Sequence, residues 1–246
     1  MDKSPKIYCE IGLNHMGKKN YLNSYLKVLL NPNIHGITLQ LPKQSFYVKN
    51  PQFNKFKLKK KTVLNFLNLA KKYKKEIGLV TNDFLLAKSL KEKIDFIKIL
   101  SQDFLDVKLI KNFYLLKLPL YLSVGFSSSK QINVVLNALK KKAFKENTIL
   151  LHTSFDKNTN KKFNMVSRED FSLKRINHLK EKFKLRVGFT NHYKDIKKII
   201  DSIKFTPDVI FFYIKLNKKL DYPDKDWAVN IIKIKMLTKR IINISQ

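Results

Sequence analysis

The sequence predicts an α/β chain closed into a (β/α)8 TIM barrel, a single domain over residues 1–246. Three observations predict it. Apolar, β-branched segments of strand length alternate with amphipathic segments of helical period, eight of each, the pattern of a parallel sheet covered by helices. Eight such units in 246 residues match the usual size of a closed barrel. The first strand leads into Gly12-x4-Gly17, not the closely spaced glycines of a dinucleotide-binding turn, which argues against an open doubly wound sheet.

Each element has its own reason. Residues 6–11 are rich in β-branched and aromatic side chains and read as the first strand. Tyr21, Leu22, Tyr25, Leu26, Leu29 and Leu30 keep helical spacing over 20–30, and Asn31-Pro32-Asn33 ends that helix. Strand two is 36–41. The connection over 42–60 is long, and Phe46, Tyr47 and Phe53 suggest that it is functional or held by its own aromatics. A helix over 61–76 precedes strand three at 77–81. Asn82-Asp83 is an N-cap signal for a short helix to 90. Strand four is 95–100, followed by a helix over 104–116 and strand five at 119–124. Ser127-Ser128-Ser129 caps a helix to 143, and strand six is 148–152. A polar loop over 153–167 ends in Ser167-Arg168-Glu169-Asp170, a capping-box pattern for a helix to 183. Strand seven at 185–189, a helix over 193–203, strand eight at 207–214 and a last helix over 226–242 complete the alternation.

Composition narrows the function classes. The lone cysteine, Cys9, has no intrachain partner, so no disulfide framework exists and a reducing, cytoplasmic setting is expected. No signal-peptide pattern precedes the first strand, and no apolar run approaches the ~20 residues of a membrane span, so no membrane partner is expected. The formal charge of +31 admits nucleic acid binding, attraction of an anionic substrate, or drift of overall composition. The only arginines are Arg168, Arg175, Arg186 and Arg240; every other basic residue is lysine, spread over nearly every predicted helix. Nucleic-acid readers favour arginine for bidentate contacts, so the lysine coat points to drift, with which substrate attraction is compatible.

In such a barrel the chemistry sits at the C-terminal ends of the strands. Strand one places Glu10, Asn14 and His15 there, strand two Gln40, strand three Thr81 and Asn82. Strand four places Lys98, Ser101 and Asp103, strand five Ser123, strand six His152, Thr153 and Ser154. Strand seven gives Asn191 and His192, and strand eight Tyr213 and Lys215. Lys98 lies between Ile97 and Ile99, and burying an unpaired ammonium is costly, so it needs an anionic partner or water. Any one of the hydroxyls can simply satisfy backbone groups. His15, His152 and His192 together admit a metal site or a proton relay, though their spacing is no local metal motif.

The order of motifs resembles the sialic acid synthase family, the phosphoenolpyruvate-dependent synthases of nonulosonic acids. The family's AEIGxNHxG is similar to Cys9-Glu10-Ile11-Gly12-Leu13-Asn14-His15-Met16-Gly17, and its VKFQ to Ile37-Thr38-Leu39-Gln40. Its FKIASGD is similar to the segment from Ile97 to Asp103, its LSTGM to that from Leu122 to Phe126. Its LLHCTS resembles Leu150 to Ser154 and its GYSDHT resembles Gly188 to Tyr193. The resemblance implies condensation of phosphoenolpyruvate with an N-acetylmannosamine-type aldehyde, a divalent metal (Mn2+ or Mg2+) as Lewis acid, and a homodimer. It implies Glu10, His15 and His152 as catalytic residues and His192 as a metal ligand. It implies substrate contacts from Asn14, Gln40, Asn82, Lys98, Ser101, Asp103, Ser123, Asn191 and Asp224.

Several positions depart from the family. Its lysine in VKFQ is Thr38, and its second metal histidine falls on Tyr213. Its strand-eight glutamate has no counterpart, the histidine after Asp224 is Lys225, and the residues after the sixth strand are Phe155 and Lys157. The antifreeze-like C-terminal domain is expected to be absent. Three readings remain: a divergent synthase, a non-catalytic homologue that binds a sugar phosphate or partner enzyme, and a polyanion-binding protein. The motif of strand one is the best kept and that of strand eight the worst, so the substrate half of the site is expected intact and the metal half altered.

Overall fold

Period-two alternation in the strands decides the architecture, because it gives every strand one face for the barrel interior and one for the helices. The computed structural model describes residues 4–139, 144, 146–155, 172–217 and 219–246. Its strands are β1 (Lys6–Glu10), β2 (Gly36–Gln40), β3 (Glu76–Val80), β4 (Phe96–Ile99), β5 (Leu120–Ser123), β6 (Thr148–Phe155), β7 (Arg186–His192) and β8 (Val209–Lys215). Each pairs in parallel with the next, and β8 returns to β1, closing the (β/α)8 barrel the sequence predicts. The closing register sets Tyr8 opposite Phe211 and Glu10 opposite Tyr213.

Two apolar layers result. Inside the barrel Tyr8, Phe96, Tyr121, Ile149, Leu151, Val209 and Phe211 form one cluster. Tyr8 stacks on Phe211 at 4.7 Å between centroids and meets Phe96 edge-on at 5.2 Å. Gly78 makes room for them: a Cβ there would stand 2.2 Å from the Phe96 ring. The opposite parity, Ile7, Cys9, Ile37, Leu39, Ile97, Ile99 and their kin, packs under the helices.

The helices follow their caps more closely than their apolar periods. α1 (Lys19–Ser24) tightens into a 3-10 turn, Tyr25–Leu30. The long connection after β2 contains α2 (Gln44–Lys49) and a 3-10 turn opened by Pro51, and Phe46 stacks on Phe53 at 5.6 Å. α3 (Lys60–Lys71) stops short of the expected 76 because Lys74 takes a left-handed φ of 54° and turns the chain into β3. α4 (Phe84–Leu90) is capped by Asp83, which accepts the Leu86 N–H at 3.0 Å. α5 (Val107–Tyr114) starts later than 104 because the Asp106 carboxylate takes the Leu109 N–H at 2.9 Å. At α6 (Ser129–Leu139) the Ser128 hydroxyl accepts the Gln131 N–H and the Gln131 side chain accepts the Ser128 N–H, a reciprocal capping box. The expected extension to 143 and the capping box at Ser167 lie outside the described residues.

Three more helices complete the layer. α7 is Arg175–Phe183. α8 (Lys197–Ser202) starts after Asp195, whose carboxylate accepts the Lys197 N–H at 2.8 Å, and not at 193. The last helix is also later than expected. Residues 229–230 instead add a short strand, β9 (Val229–Asn230), in parallel to the top of β8. Asn230 then caps the turn into α9 (Ile234–Ser245) by accepting the Ile232 N–H at 3.1 Å. Among the described residues no helix is long and apolar enough to cross a membrane.

Candidate functional site

One strand step above the aromatic layer the inward positions turn polar. Tyr8 is followed by Glu10, Phe96 by Lys98, Tyr121 by Ser123, Leu151 by Thr153, and Phe211 by Tyr213. Lys98 Nζ lies 2.5 Å from Glu10 Oε1, with both side chains 1% exposed. The ammonium also sits 4.6 Å over the Phe211 ring. Burial lowers the Lys98 pKa, and the Glu10 carboxylate pulls it back up. Lys98 thus has the anionic partner its position demands, and that partner is internal. Glu10 Oε2 and the hydroxyls of Thr38, Thr153 and Thr190 are buried with no hydrogen-bond partner among the described residues.

A cavity of about 310 Å³ opens directly above. Lys98, Ser101, Ser123, Gln40 and Thr153 supply its polar side, and His192, Tyr213 and Asp224 another wall. Leu13, Phe46, Phe53, Leu100, Phe126, Pro223 and Trp227 are its apolar lining. Ser101 Oγ accepts the Gly125 N–H at 3.2 Å, which leaves its single proton for a ligand.

The loops after β1 and β8 are stitched together at one edge. Asn14 donates to the Ile214 carbonyl at 2.9 Å and accepts the Asp224 N–H at 3.0 Å, while Asp224 Oδ2 accepts the Leu13 N–H at 3.3 Å. Burial pushes the Asp224 carboxyl up to about 7, helped by the nearby Glu10 charge and opposed by the Leu13 N–H. His192 is brought down to about 3 by burial and by the Lys98 charge, so its imidazole is neutral. Its ring meets Tyr213 at 5.2 Å and Trp227 at 5.5 Å.

Of the expected site residues, the structure gathers Gln40, Lys98, Ser101, Ser123, His192 and Asp224 at the cavity, with Glu10 beneath Lys98. The others are placed outside the lining. Asn14 is the stitch just described. His15 is buried, and its Nδ1 accepts the Gly17 N–H at 3.0 Å, holding the turn. His152 has the parity of Leu150 and points with it to the helix layer, 6.2 Å from the Phe189 ring. Asn82 donates to Asp103 at 3.2 Å, tying the loops after β3 and β4. Asn191 donates to the Tyr193 carbonyl at 2.9 Å and lines a neighbouring groove. Sequence reasoning passed over Trp227 as a wall residue; its signal was its place in the same loop as Asp224.

The buried ionisable groups give stability a pH profile. His15 is lowered to about 4 by burial, and His152 to about 3 by burial and by the Arg175 charge, both from 6.5. Each therefore contributes stability above the unfolded value that is lost as pH falls. Asp224, raised from 3.8, has the opposite sign: its contribution is present in acid and is lost as pH rises through about 7. Near pH ~5 the unfolded chain holds three extra histidine protons, on His15, His152 and His192, and the folded chain one extra on Asp224, so these groups should make stability fall by about 2.7 kcal/mol per pH unit of acidification. Asp224→Asn removes the opposing proton and should steepen that slope by about half in urea unfolding between pH ~4.5 and ~6. An unchanged slope would refute the assignment.

The residues do not fit the divalent metal that the resemblance implies. His192 lines the cavity, but its expected partner position is a phenol whose pKa burial, Glu10 and Asp224 all raise, and Glu10 Oε1 is engaged by Lys98. Among the described residues no three His, Cys, Asp or Glu side chains come together to hold an ion.

Fold and cavity together define a (β/α)8 barrel with a small-molecule site at its C-terminal mouth, cationic at depth and apolar at the rim. The chain belongs to the NeuB family, whose model matches residues 43–246. It is 25% identical to the N,N'-diacetyllegionaminic acid synthase of Campylobacter jejuni over 269 aligned residues, covering 99% of this chain and 77% of that one. Its fold is that of the N-acetylneuraminic acid synthetase of Leptospira borgpetersenii, solved with citrate (TM-score 0.84, 20% identity, 99% of this chain and 85% of that one). The spore coat polysaccharide biosynthesis protein spsE of Bacillus subtilis is similar as well (TM-score 0.82, 17% identity, 99% and 68%).

Proposed function

We propose that this chain is a phosphoenolpyruvate-dependent nonulosonic acid synthase, which joins phosphoenolpyruvate to an open-chain acetamido sugar and releases phosphate, for glycan biosynthesis. The observation that carries the reading is the Lys98 ammonium at the depth of the cavity, with the Ser101 and Ser123 hydroxyls on the same lining. A fixed cation with hydroxyl donors suits the carboxylate and phosphate of phosphoenolpyruvate. Membership of the NeuB family and the likeness to a diacetyllegionaminic acid synthase support the second substrate. So does the rim: Phe46, Phe53, Phe126 and Trp227 offer apolar surface to acetamido methyl groups.

In this mechanism the sugar aldehyde lies above phosphoenolpyruvate. The enol C3 attacks the aldehyde carbon, forming the new C–C bond and leaving positive charge at C2. Water adds at C2 and gives its proton to Glu10 Oε2, an acceptor with no other partner among the described residues. The C2–O bond to phosphate breaks, the C2 hydroxyl gives its proton to the departing phosphate, and C2 becomes the keto carbon. Lys98 and the serine hydroxyls hold the departing phosphate charge. The chain works as one barrel domain over residues 1–246, in the cytoplasm, where its lone buried thiol stays reduced.

Phosphate release should require both phosphoenolpyruvate and an acetamido sugar such as N-acetylmannosamine or its diacetamido deoxy relatives. Ser101→Ala and Ser123→Ala should each raise KM for phosphoenolpyruvate about 10- to 100-fold, the worth of a hydrogen bond to a charged group. Calorimetric binding of phosphoenolpyruvate without release across the whole sugar panel would instead mark a non-catalytic homologue.

A further inference from the structure

The cavity wall contributed by β8 carries a proton donor with no assigned task. Tyr213 stands opposite Glu10 across the barrel seam, has the inward parity of Phe211, and lines the cavity. Its ring is fixed on three sides. Gly12 lies so close that a Cβ would stand 2.6 Å from Tyr213 Cε1, His192 meets the ring edge-on at 5.2 Å, and Trp227 at 6.5 Å. Its hydroxyl makes no hydrogen bond among the described residues, and a phenol at neutral pH carries its proton. Asp224 approaches the same face of Gly12, with Oδ2 2.4 Å from the position of that Cβ. The wall is therefore built from fixed oxygen groups, where the donor set is one imidazole too poor for a two-histidine ion site.

Resting on the synthase reading, we propose that the Tyr213 hydroxyl donates to the aldehyde oxygen as the C–C bond forms, and that this site works without a divalent cation. The proton count closes without a further reactant. The aldehyde oxygen takes a proton from Tyr213 as it becomes a hydroxyl, and the water that adds at C2 releases one to Glu10, the neighbour of Tyr213 across the seam, which restores the phenol. A rigid donor pointed at developing negative charge needs no reorganisation during the reaction.

Trp227 is the sole tryptophan, 5.5 Å from His192, so its fluorescence reports a paramagnetic ion at that wall without any turnover. With the full chain, Mn2+ should leave the wild-type emission unchanged, and Tyr213→His should make it quench saturably. Chelator should leave wild-type phosphate release intact. Tyr213→Phe should lower kcat about 10²- to 10³-fold, with KM for phosphoenolpyruvate nearly unchanged. Saturable quenching of the wild type that is lost in His192→Gln overturns the proposal, as does a Tyr213→Phe enzyme with full kcat. Since the quenching reads ion binding alone, its failure is distinguishable from failure of the synthase reading, which shows in the substrate panel.

Discussion

Lys98→Ala is expected to lower the free energy of unfolding by about 3–5 kcal/mol and to abolish phosphate release, because it strands the buried Glu10 carboxylate. The two side chains are 2.5 Å apart and each 1% exposed, so no solvent relieves the survivor. Stability and function separate in a double variant. Glu10→Leu with Lys98→Met replaces the pair by apolar groups of similar size next to Phe211, and such replacements in other proteins are neutral or stabilising. It should recover most of the lost stability in urea unfolding and none of the phosphate release. A double variant as unstable as Lys98→Ala would show that the pair holds the fold by its charges. One that still turned over would remove Lys98 and Glu10 from the chemistry.

Gly12→Ala is the second large effect. The residue has φ +55°, a region that costs side-chain-bearing residues roughly 1–2 kcal/mol. The added methyl would also meet Asp224 Oδ2 at 2.4 Å and the Tyr213 ring at 2.6 Å. Forcing those groups aside brings the expected loss to roughly 2–4 kcal/mol. Asn tolerates the left-handed region better than Ala but carries the same Cβ. Gly12→Asn should therefore be the more stable of the two and no more active. Equal activity of Gly12→Asn and wild type would show that the position of the Asp224–Tyr213 wall does not matter to turnover.

The barrel was legible because its signal is repeated. Eight alternations survive errors of several residues at helix ends, and those errors came where a side-chain cap or a left-handed residue overrode apolar period. Asp106 moved the start of α5, and Lys74 cut α3 short. The final segment differs for another reason: the sequence predicts a helix from 226, yet Val229 pairs with Ile214 of β8, a strand contact that no local pattern announces.

The site was legible in part for a similar reason. Placing residues at strand ends gathers several of them at the cavity, but rim membership does not say which face a side chain takes. His152 and Asn191 have the parity of Leu150 and Phe189, which belong to the helix-facing layer. Lys98 was identifiable because an ammonium between two isoleucines demands explanation. Its partner was not, since Glu10 is 88 residues away in sequence and the two meet only when the barrel closes. Phe46 and Phe53 mark the long connection after β2 as functional or held by its own aromatics. They do stack, and they also line the cavity, a double use that composition cannot show.

The aromatic layer of Tyr8, Phe96, Tyr121 and Phe211 has one more consequence. It stoppers the barrel immediately beneath Lys98, so among the described residues the chamber is closed from below and entered from the rim. Molecules that use it must queue. Whatever seats on the ammonium goes in first and is covered by its co-reactant at the rim, and it comes out only after that co-reactant, or what has been made of it, has cleared the door.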